Sequence, residues 1–391
     1  MKLSASATQL IITLLFFGIP LGLGNALAQP TALLLLTPTL LLTFKKAHKA
    51  IPVITLVSLS SIYNIIAYPN LEHSLYQFAR SGVPFLYLCI FLASYKHLEA
   101  SIEIITDRIN AKNPSTLDKI ILAYSFGQFT QAALYKAGID IANAASKTET
   151  LDRVLLFPST STILLFLYAC ISRNHILICV TGAVLLATGS KAVLIAMLAM
   201  FVISALNSVS TKSLASYASA AILLMSMIFI ANPLAIERLN NFLHKEEGVD
   251  ITRQYEIYHA KQSFLSGPDT VLFGNGLTKP ITPGVPTNDP KWFENSKFDI
   301  ENGYWSLIAK LGILGVMAFI AILASLPRNT ITLALFLIWA LFSFKTSYQF
   351  FTTFDGCYLV LWAAVLTALL RNKEKRKLTT KSTANPYSYQ V

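Results

Sequence analysis

A carboxylate and an amide, Glu301 and Asn302, stand directly before a long apolar run in the stretch FDIENGYWSLIAKLGILGV, residues 298–316. A carboxylate at the mouth of a membrane helix can act as a general base, because it accepts the proton of a reacting hydroxyl. The same two side chains can instead cap a helix that begins near Tyr304, since carboxylates and amides accept hydrogen bonds from the N–H groups of a first turn. Both interpretations are open from the sequence alone.

Cationic side chains stand at the ends of other apolar runs. The guanidinium of Arg253 can hold a phosphate through two parallel hydrogen bonds, and the ammonium of Lys191 can add a point charge. Taken singly, such side chains are often interfacial residues whose aliphatic stems lie along lipid. Together they predict an outward-facing basic cavity that suits an anionic, phosphate-bearing lipid. The other members of this charged set are Arg80, Arg153, Lys310 and Lys345.

The composition predicts an all-α, polytopic membrane protein. Hydrophobic residues make up 54% of the chain and charged residues 13%, with a mean hydropathy of +0.56, which exceeds what a soluble globular chain carries. Apolar runs of roughly the 17 to 25 residues that a spanning helix needs recur along the chain, and we count about twelve. The predicted spans are 8–26, 29–44, 51–68, 81–95, 118–135, 153–172, 175–188, 191–208, 214–232, 304–324, 330–346 and 356–370.

The basic residues of the short loops predict the orientation, because such loops stay on the cytoplasmic side during insertion. The C-terminal stretch RNKEKRKLTTK is therefore predicted to lie inside. Every alternate loop counted back from it is basic, which makes the count self-consistent. These inside loops carry Lys45, Lys46 and Lys49, then Lys96, Arg108, Lys112 and Lys119, then Arg173, Lys212 and Arg328.

The span count divides the chain into four parts. Residues 1–232 hold transmembrane helices 1–9, residues 233–303 form a long periplasmic loop, residues 304–370 hold helices 10–12, and residues 371–391 form a basic cytoplasmic tail. In the long loop, ITRQYEIYHAKQSFL (251–265) has the spacing of an amphipathic helix, with Ile251, Tyr255, Tyr258 and Leu265 near one face. The later part of the loop is rich in Gly and Pro and predicts irregular turns.

Several classes of site and partner are not expected from this sequence. The four cysteines and six histidines are scattered without metal-ligand spacing, so no metal site is predicted. The net charge of +11 is largely a topological signal, and without a recognition module it does not predict nucleic-acid binding. The first apolar segment also resembles a secretory signal with a small-residue cleavage site, ALA at 26–28, and its removal would leave the remaining orientation unchanged.

Three stretches resemble the bacterial superfamily of O-antigen polymerases and O-antigen ligases, called Wzy and WaaL. LLATGSKAVLIAML (185–198) resembles the TGSR motif that links two spans in that family, with Lys191 where arginine is usual. The stretch 251–277 is similar to the family's periplasmic motif, with Arg253, Pro268, Gly274 and Gly276 matching. ENGYWSLIAKLGILG (301–315) resembles the start of the next span in the family, with Asn302, Gly312 and Gly315 kept.

The resemblance implies metal-independent glycosyl transfer, without a cofactor, at the periplasmic face of the bacterial inner membrane. The implied donor is an oligosaccharide linked to undecaprenyl diphosphate, held within the lipid bilayer. A polymerase moves the growing glycan onto a hydroxyl of the next lipid-linked repeat unit, whereas a ligase moves it onto lipid A core oligosaccharide. A chain-length regulator protein is a further partner that the resemblance suggests.

On this interpretation, Glu301 and Arg253 are the catalytic candidates, as base and as diphosphate clamp respectively. The candidates for substrate binding are Lys191, Asn302, Arg80, Gly274, Gly276 and Tyr304. Gly274 and Gly276 can equally be turn formers, and Gly312 and Gly315 are predicted to be close-packing positions between helices.

Ligases characteristically place histidine where this chain has Glu301 and arginine where it has Lys191. We therefore prefer the hypothesis of a polymerase, and a ligase is the alternative. A small-anion transporter is the alternative from another functional class. Internal repeats and charges deep in the spans would be typical of it, whereas the charges here cluster at one face.

Overall fold

The computed structural model describes most of the predicted membrane-spanning part of the chain. The described residues are 5–16, 34–41, 43–67, 76, 78–112, 116–136, 145–148, 151–154, 159–187, 191–206, 251–281, 300, 302–345 and 354–384. The predicted span 214–232 lies outside them, as do most of 8–26 and part of 29–44. The protein is helical as the composition predicts, apart from one short hairpin in the described residues. That hairpin pairs β1 (Ala145–Thr148) with β2 (Leu151–Val154) in antiparallel register.

The helices coincide with the apolar runs. The first group is α1 (Ala5–Phe16), α2 (Ile51–Ala67), α3 (Val83–Ala93), α4 (Tyr95–Lys112), α5 (Thr116–Lys136), α6 (Ser159–Ser172), α7 (His175–Ala187) and α8 (Lys191–Leu206). The second group is α9 (Ile251–Phe264), α10 (Pro268–Phe273), α11 (Gly303–Ala324), α12 (Thr330–Lys345) and α13 (Phe354–Ala384). Two 3₁₀ turns, Phe44–Lys46 and His48–Ala50, precede α2, and a π-helical turn, Phe78–Gly82, precedes α3.

Within the described residues, three helices are long and apolar enough to cross a membrane: His48–Ile66, Gly303–Ala324 and Phe354–Lys375. A fourth candidate is the pair formed by 78–93 and 95–111, which is bent by 77°. Shorter apolar helices occupy 161–172, 175–186, 195–204 and 330–343. These helices confirm a multi-span fold, whereas the count of twelve spans stays a prediction.

Helix α13 lies at the centre of the bundle. It packs against α3, α4, α6 and α12, and its apolar residues are buried around the whole circumference. Trp362 is fully buried and meets the ring of Tyr124 edge to face, with ring centroids 5.0 Å apart. A helix that is apolar on all sides needs neighbours on all sides, which explains why this last helix becomes the core.

Helix α4 departs from the sequence prediction, which assigned residues 96–117 to an inside loop. The segment instead forms an 18-residue helix that turns sharply away from α3 at Ser94. Leu98, Ile102 and Ile109 are buried along one side of it. An amphipathic face provides enough apolar contact to hold a helix that is too polar to be recognised as a span.

The basic C-terminal segment, predicted as a cytoplasmic tail, is helical as far as Ala384, where α13 ends. Arg371 contacts Glu99 at 2.6 Å and Glu103 at 3.7 Å, both on α4. The Arg371–Glu99 contact is an ion pair between a half-exposed guanidinium and a buried carboxylate. Lys373 contacts Asp118 of α5 at 3.5 Å. Some of the basic side chains at this end therefore pair with acidic side chains of the same protein.

Replacing Arg371 with alanine is expected to lower the free energy of unfolding by about 1–3 kcal/mol, because it leaves the buried Glu99 carboxylate without its cation. Thermal unfolding of the purified protein in detergent measures the change. Arg108→Ala is the control and should have little effect, because it removes an exposed cation from α4, the helix that carries Glu99. Adding Glu99→Gln to Arg371→Ala should restore part of the loss, and no restoration would argue against the ion pair.

Candidate active site

Helix α11 begins one residue after Asn302, and Asn302 is its N-cap. The Asn302 side-chain oxygen accepts a hydrogen bond from the Trp305 N–H at 3.1 Å, and its backbone carbonyl accepts one from the Ser306 N–H at 3.0 Å. The capping alternative from the sequence is thus confirmed for Asn302. Glu301 lies outside the described residues, whereas Ile300, just before it, is buried with Ala260 and Ala309.

Helix α11 is broken at Gly312. This residue has φ +64° and ψ −179°, a backbone conformation that is essentially restricted to glycine. In a continuous helix, the carbonyls of Ala309 and Lys310 would accept hydrogen bonds from residues 313 and 314. They are instead available to another part of the chain. Such a break is hard to predict from the sequence, because a glycine in a leucine-rich stretch equally predicts close packing between helices.

The segment Gly274–Thr278, here called the docked segment, binds at this break. The Asn275 N–H donates to the Ala309 carbonyl at 2.8 Å, and the Gly276 N–H donates to the Lys310 carbonyl at 3.0 Å. A Cβ on Gly274 would stand 2.5 Å from the Gly312 nitrogen, and one on Gly312 would stand 2.4 Å from the Gly274 nitrogen. The two backbones are therefore in direct contact, and all five residues of the docked segment are buried.

Three polar side chains of α2 hold the other side of the docked segment. The Ser60 hydroxyl donates to the Gly274 carbonyl at 2.9 Å, and the Asn64 amide donates to the Asn275 carbonyl at 2.6 Å. The Leu277 N–H donates to the Ser61 hydroxyl at 3.1 Å. The sequence analysis missed these residues. The sequence feature that could have indicated them is a small polar face, SSIYN at 60–64, within an otherwise apolar helix.

Helix α9 of the long loop packs against the first half of α11, which confirms the helix predicted there. Lys261 lies over the Trp305 ring, with its Nζ 5.1 Å from the centroid. Ser263 accepts a hydrogen bond from the Asn275 amide at 2.9 Å, which ties α9 to the docked segment. Tyr258 and Leu265, on the apolar face, are exposed, as expected if that face meets lipid.

Two charged side chains are buried at the contact between α9 and α11. Glu256 on α9 is 3% exposed and Lys310 on α11 is 2% exposed. Both are engaged in interactions within the fold. Buried charged side chains are stable only when other groups compensate their charge. Glu256 and Lys310 therefore help to determine how α9 packs against α11. The sequence analysis expected Glu256 on the polar face of its helix and did not expect it to be buried.

The remaining predicted site residues are placed as follows. Arg80 lies exposed in the π-helical turn, and Tyr304 is 42% exposed and donates to the Ala340 carbonyl of α12 at 3.0 Å. Lys191 is the first residue of α8 and Arg253 is the third of α9, but their side chains lie outside the described part of the structure. No hydrogen bond or ion pair described in the structure joins Arg80 to the docked segment.

The nearest atoms that a Cβ at Gly274 or Gly276 would meet belong to protein backbone. A Cβ on Gly276 would stand 2.8 Å from the Ser61 nitrogen of α2. Both residues have positive φ, at +75° and +65°. These contacts give both glycines a structural role, and substrate binding by them stays a prediction.

A further acidic residue that the sequence analysis missed is Asp355, in the first turn of α13. It is 6% exposed, and its Oδ1 has no hydrogen-bond partner among the residues that the structure describes. Near it lie Tyr124 and Tyr358, and the Gln128 amide donates to the Tyr124 hydroxyl at 3.2 Å. In the sequence, Asp355 can be recognised as an isolated acidic residue at the edge of an apolar run, FDGCYLVLW.

Replacing Gly312 with alanine is expected to lower the stability of the protein and loosen the docked segment. The backbone conformation alone costs about 1–3 kcal/mol for a residue with a side chain, and the new Cβ would also meet Gly274 and the Leu272 carbonyl. Thermal unfolding in detergent measures this loss. The control is Gly267→Ala, because Gly267 has φ −170° and its new Cβ would meet only the end of the Asp269 side chain. Equal stability of the two variants would contradict the docking described here.

Comparison with known proteins identifies one family. A sequence model of the family described as O-antigen ligase matches residues 176–320. The match includes Lys191, α9, the docked segment and the broken helix α11. No curated protein and no solved structure matches the chain. Residues 176–320 are thus similar to the family described as O-antigen ligase, which supports the predicted resemblance to the O-antigen polymerase and ligase superfamily, and the helices able to span a membrane support a multi-pass membrane protein.

Proposed function

We propose that the protein is an O-antigen polymerase. It transfers a growing glycan from undecaprenyl diphosphate to a hydroxyl of the next lipid-linked repeat unit, at the periplasmic face of the inner membrane. The family match supports a glycosyltransferase of O-antigen assembly. The preference for the polymerase comes from the sequence, where glutamate stands at the position in which ligases characteristically carry histidine.

The observation that carries the proposal is the cap of α11. Because Asn302 already fills the N-cap position, the helix does not need the Glu301 carboxylate for that purpose. In the sequence, Glu301 stands between the buried Ile300 and the cap residue Asn302. A carboxylate at this point of the chain, next to the start of a membrane helix, is suited to general base catalysis.

The packing of α9 on α11 supports the role of Arg253. Arg253 lies on the same helix as Ala260, which is buried with Ala309 of α11, and Lys261, which lies over the Trp305 ring. Its backbone therefore belongs to a helix that packs on α11 and not to an irregular loop. Catalytic groups lose rate when they are misplaced by as little as about 1 Å, so a packed helix is a better support for a diphosphate clamp than an irregular loop.

In the proposed reaction, the acceptor hydroxyl oxygen attacks the anomeric carbon of the donor sugar. The bond between that carbon and the diphosphate oxygen breaks, and the electron pair leaves with undecaprenyl diphosphate. Glu301 takes the proton of the hydroxyl, while Arg253 and Lys191 stabilise the charge that develops on the diphosphate. Each step uses side chains of this protein alone.

O-antigen ligase is the second candidate, because the matching family is described by that name. The same chemistry would then transfer the glycan to lipid A core oligosaccharide. The lipopolysaccharide of a deletion strain distinguishes the two activities. We expect core carrying a single repeat unit, and complementation with the intact gene should restore long chains. Bare core with accumulated lipid-linked polymer would instead identify a ligase.

The variant Glu301→Gln should lower glycan transfer by about a hundredfold or more, because an amide keeps the size of the side chain but does not accept the proton. Purified variants assayed on lipid-linked repeat units, with matched expression and donor binding, provide the measurement. Glu294→Gln, the same change earlier in the loop, is the control and should keep full activity. Full turnover by Glu301→Gln would remove Glu301 from the catalytic role.

The variant Arg253→Lys should lose most activity although it keeps the positive charge, because an ammonium cannot reproduce the two parallel hydrogen bonds of a guanidinium on a diphosphate. Lys191→Arg should be tolerated, because the family usually carries arginine there. The same transfer assay compares them. Near-normal activity of Arg253→Lys would indicate an interfacial residue.

A further inference from the structure

A second candidate binding site lies at the other end of the two helices that hold the docked segment. The Ser60–Asn64 face is in the C-terminal half of α2 and Asn302 is at the start of α11, whereas this cavity lies before α2 and at the end of α11. No residue of the cavity lining belongs to the docked segment, to the Ser60–Asn64 face or to the start of α11. The cavity is therefore separate from the candidate active site.

The cavity has a volume of about 230 Å³ and a basic lining. Five nitrogen-bearing side chains line it, together with the hydroxyl-bearing residues Ser94, Tyr95 and Ser325 and the apolar residues Leu92 and Ala93. Among its described lining residues there is no carboxylate. Pockets for drug-sized ligands are larger, about 300–1,000 Å³, so this one suits a small anionic group. The five side chains are Lys46, His48, Lys49, Lys96 and His97.

Three separate segments bring these side chains together. The two 3₁₀ turns before α2 supply Lys46, His48 and Lys49, and the first turn of α4 supplies Lys96 and His97. The 77° bend between α3 and α4 opens the space between the segments. The arrangement thus depends on tertiary structure and is not a run of lysines in one loop.

The acid nearest along α4 is Glu99, which follows His97 by two residues. Its closest cation is Arg371 of α13 at 2.6 Å, and Lys96 of the cavity makes a weaker electrostatic contribution to it. The lysines of the cavity are exposed, so they are accessible to a ligand from solution or from the membrane surface. The lining therefore combines a largely apolar wall with exposed cationic side chains.

We propose that this cavity binds the phosphate ester of an anionic phospholipid headgroup, at the face of the membrane opposite the candidate active site. Phe44 and Ile51, which flank the basic turns, are 62% and 60% exposed, as expected for side chains that meet lipid tails. The loops that carry these lysines are predicted to be cytoplasmic, where basic pockets between membrane helices bind anionic lipid headgroups. This site goes beyond the proposed function and does not depend on it.

The test uses the full-length protein purified in detergent and two triple variants that each remove three positive charges. The cavity variant is Lys46→Gln, Lys49→Gln and Lys96→Gln. The control variant is Arg108→Gln, Lys119→Gln and Arg173→Gln, which changes exposed cations on the same predicted face outside the cavity. Binding of phosphatidylglycerol, phosphatidylcholine, glycerol 3-phosphate and inorganic phosphate is measured by native mass spectrometry and by thermal stabilisation.

We expect phosphatidylglycerol to bind and stabilise the wild type and the control variant, and its affinity for the cavity variant to fall by about tenfold or more. Phosphatidylcholine should not substitute for it. Equal loss in both triple variants would mean a general charge effect and would overturn the site. Equal stabilisation by inorganic phosphate or glycerol 3-phosphate would overturn the lipid as its ligand. The headgroup comparison on the wild type needs no variant, so absence of any preference for phosphatidylglycerol there would also overturn the proposal.

Discussion

The contact between Gly274 and Gly312 is the constraint on which the described packing of α2, α9 and α11 depends. At this point two backbones approach so closely that neither residue can carry a side chain. A helix that breaks within the apolar part of a membrane leaves carbonyls that need new partners, because lipid offers none. The docked segment provides them through the N–H groups of Asn275 and Gly276. A stretch of a predicted loop thereby becomes part of the helix bundle.

This contact has consequences for the elements around it. Helix α9 immediately precedes α10 and the docked segment, and Ser263 and Asn275 join the two by a hydrogen bond. Asn64 and Ser60 fix the same segment to α2, so α2, α9 and α11 form one unit. The start of α11, which Asn302 caps, belongs to this unit.

Much of the helical structure could be predicted, because apolar runs and membrane helices share a length scale. The predicted span 304–324 corresponds to Gly303–Ala324, and 51–68 corresponds to Ile51–Ala67. The Asn302 cap was one of the two interpretations that its residue type and position left open, and the structure confirms it. Helix α4 was missed because its apolar face is narrow and its overall composition is that of a loop.

The contacts of the candidate site were less predictable, for a physical reason. The partners of the docked segment lie more than two hundred residues earlier, at Ser60 to Asn64, and about thirty-five residues later, at Ala309 and Lys310. Local periodicity carries no information on such pairings. The break at Gly312 was likewise hidden, since glycine in an apolar run has the same appearance whether it permits close packing or a left-handed backbone.

Hydrogen exchange of the amides of Asn275 and Gly276, measured by mass spectrometry on the protein in lipid nanodiscs, tests the central structural claim most directly. If these N–H groups bind the carbonyls of Ala309 and Lys310 inside the bundle, peptides that cover 274–278 should exchange as slowly as those of α11. Exchange within seconds, at the rate of an exposed loop, would contradict the account.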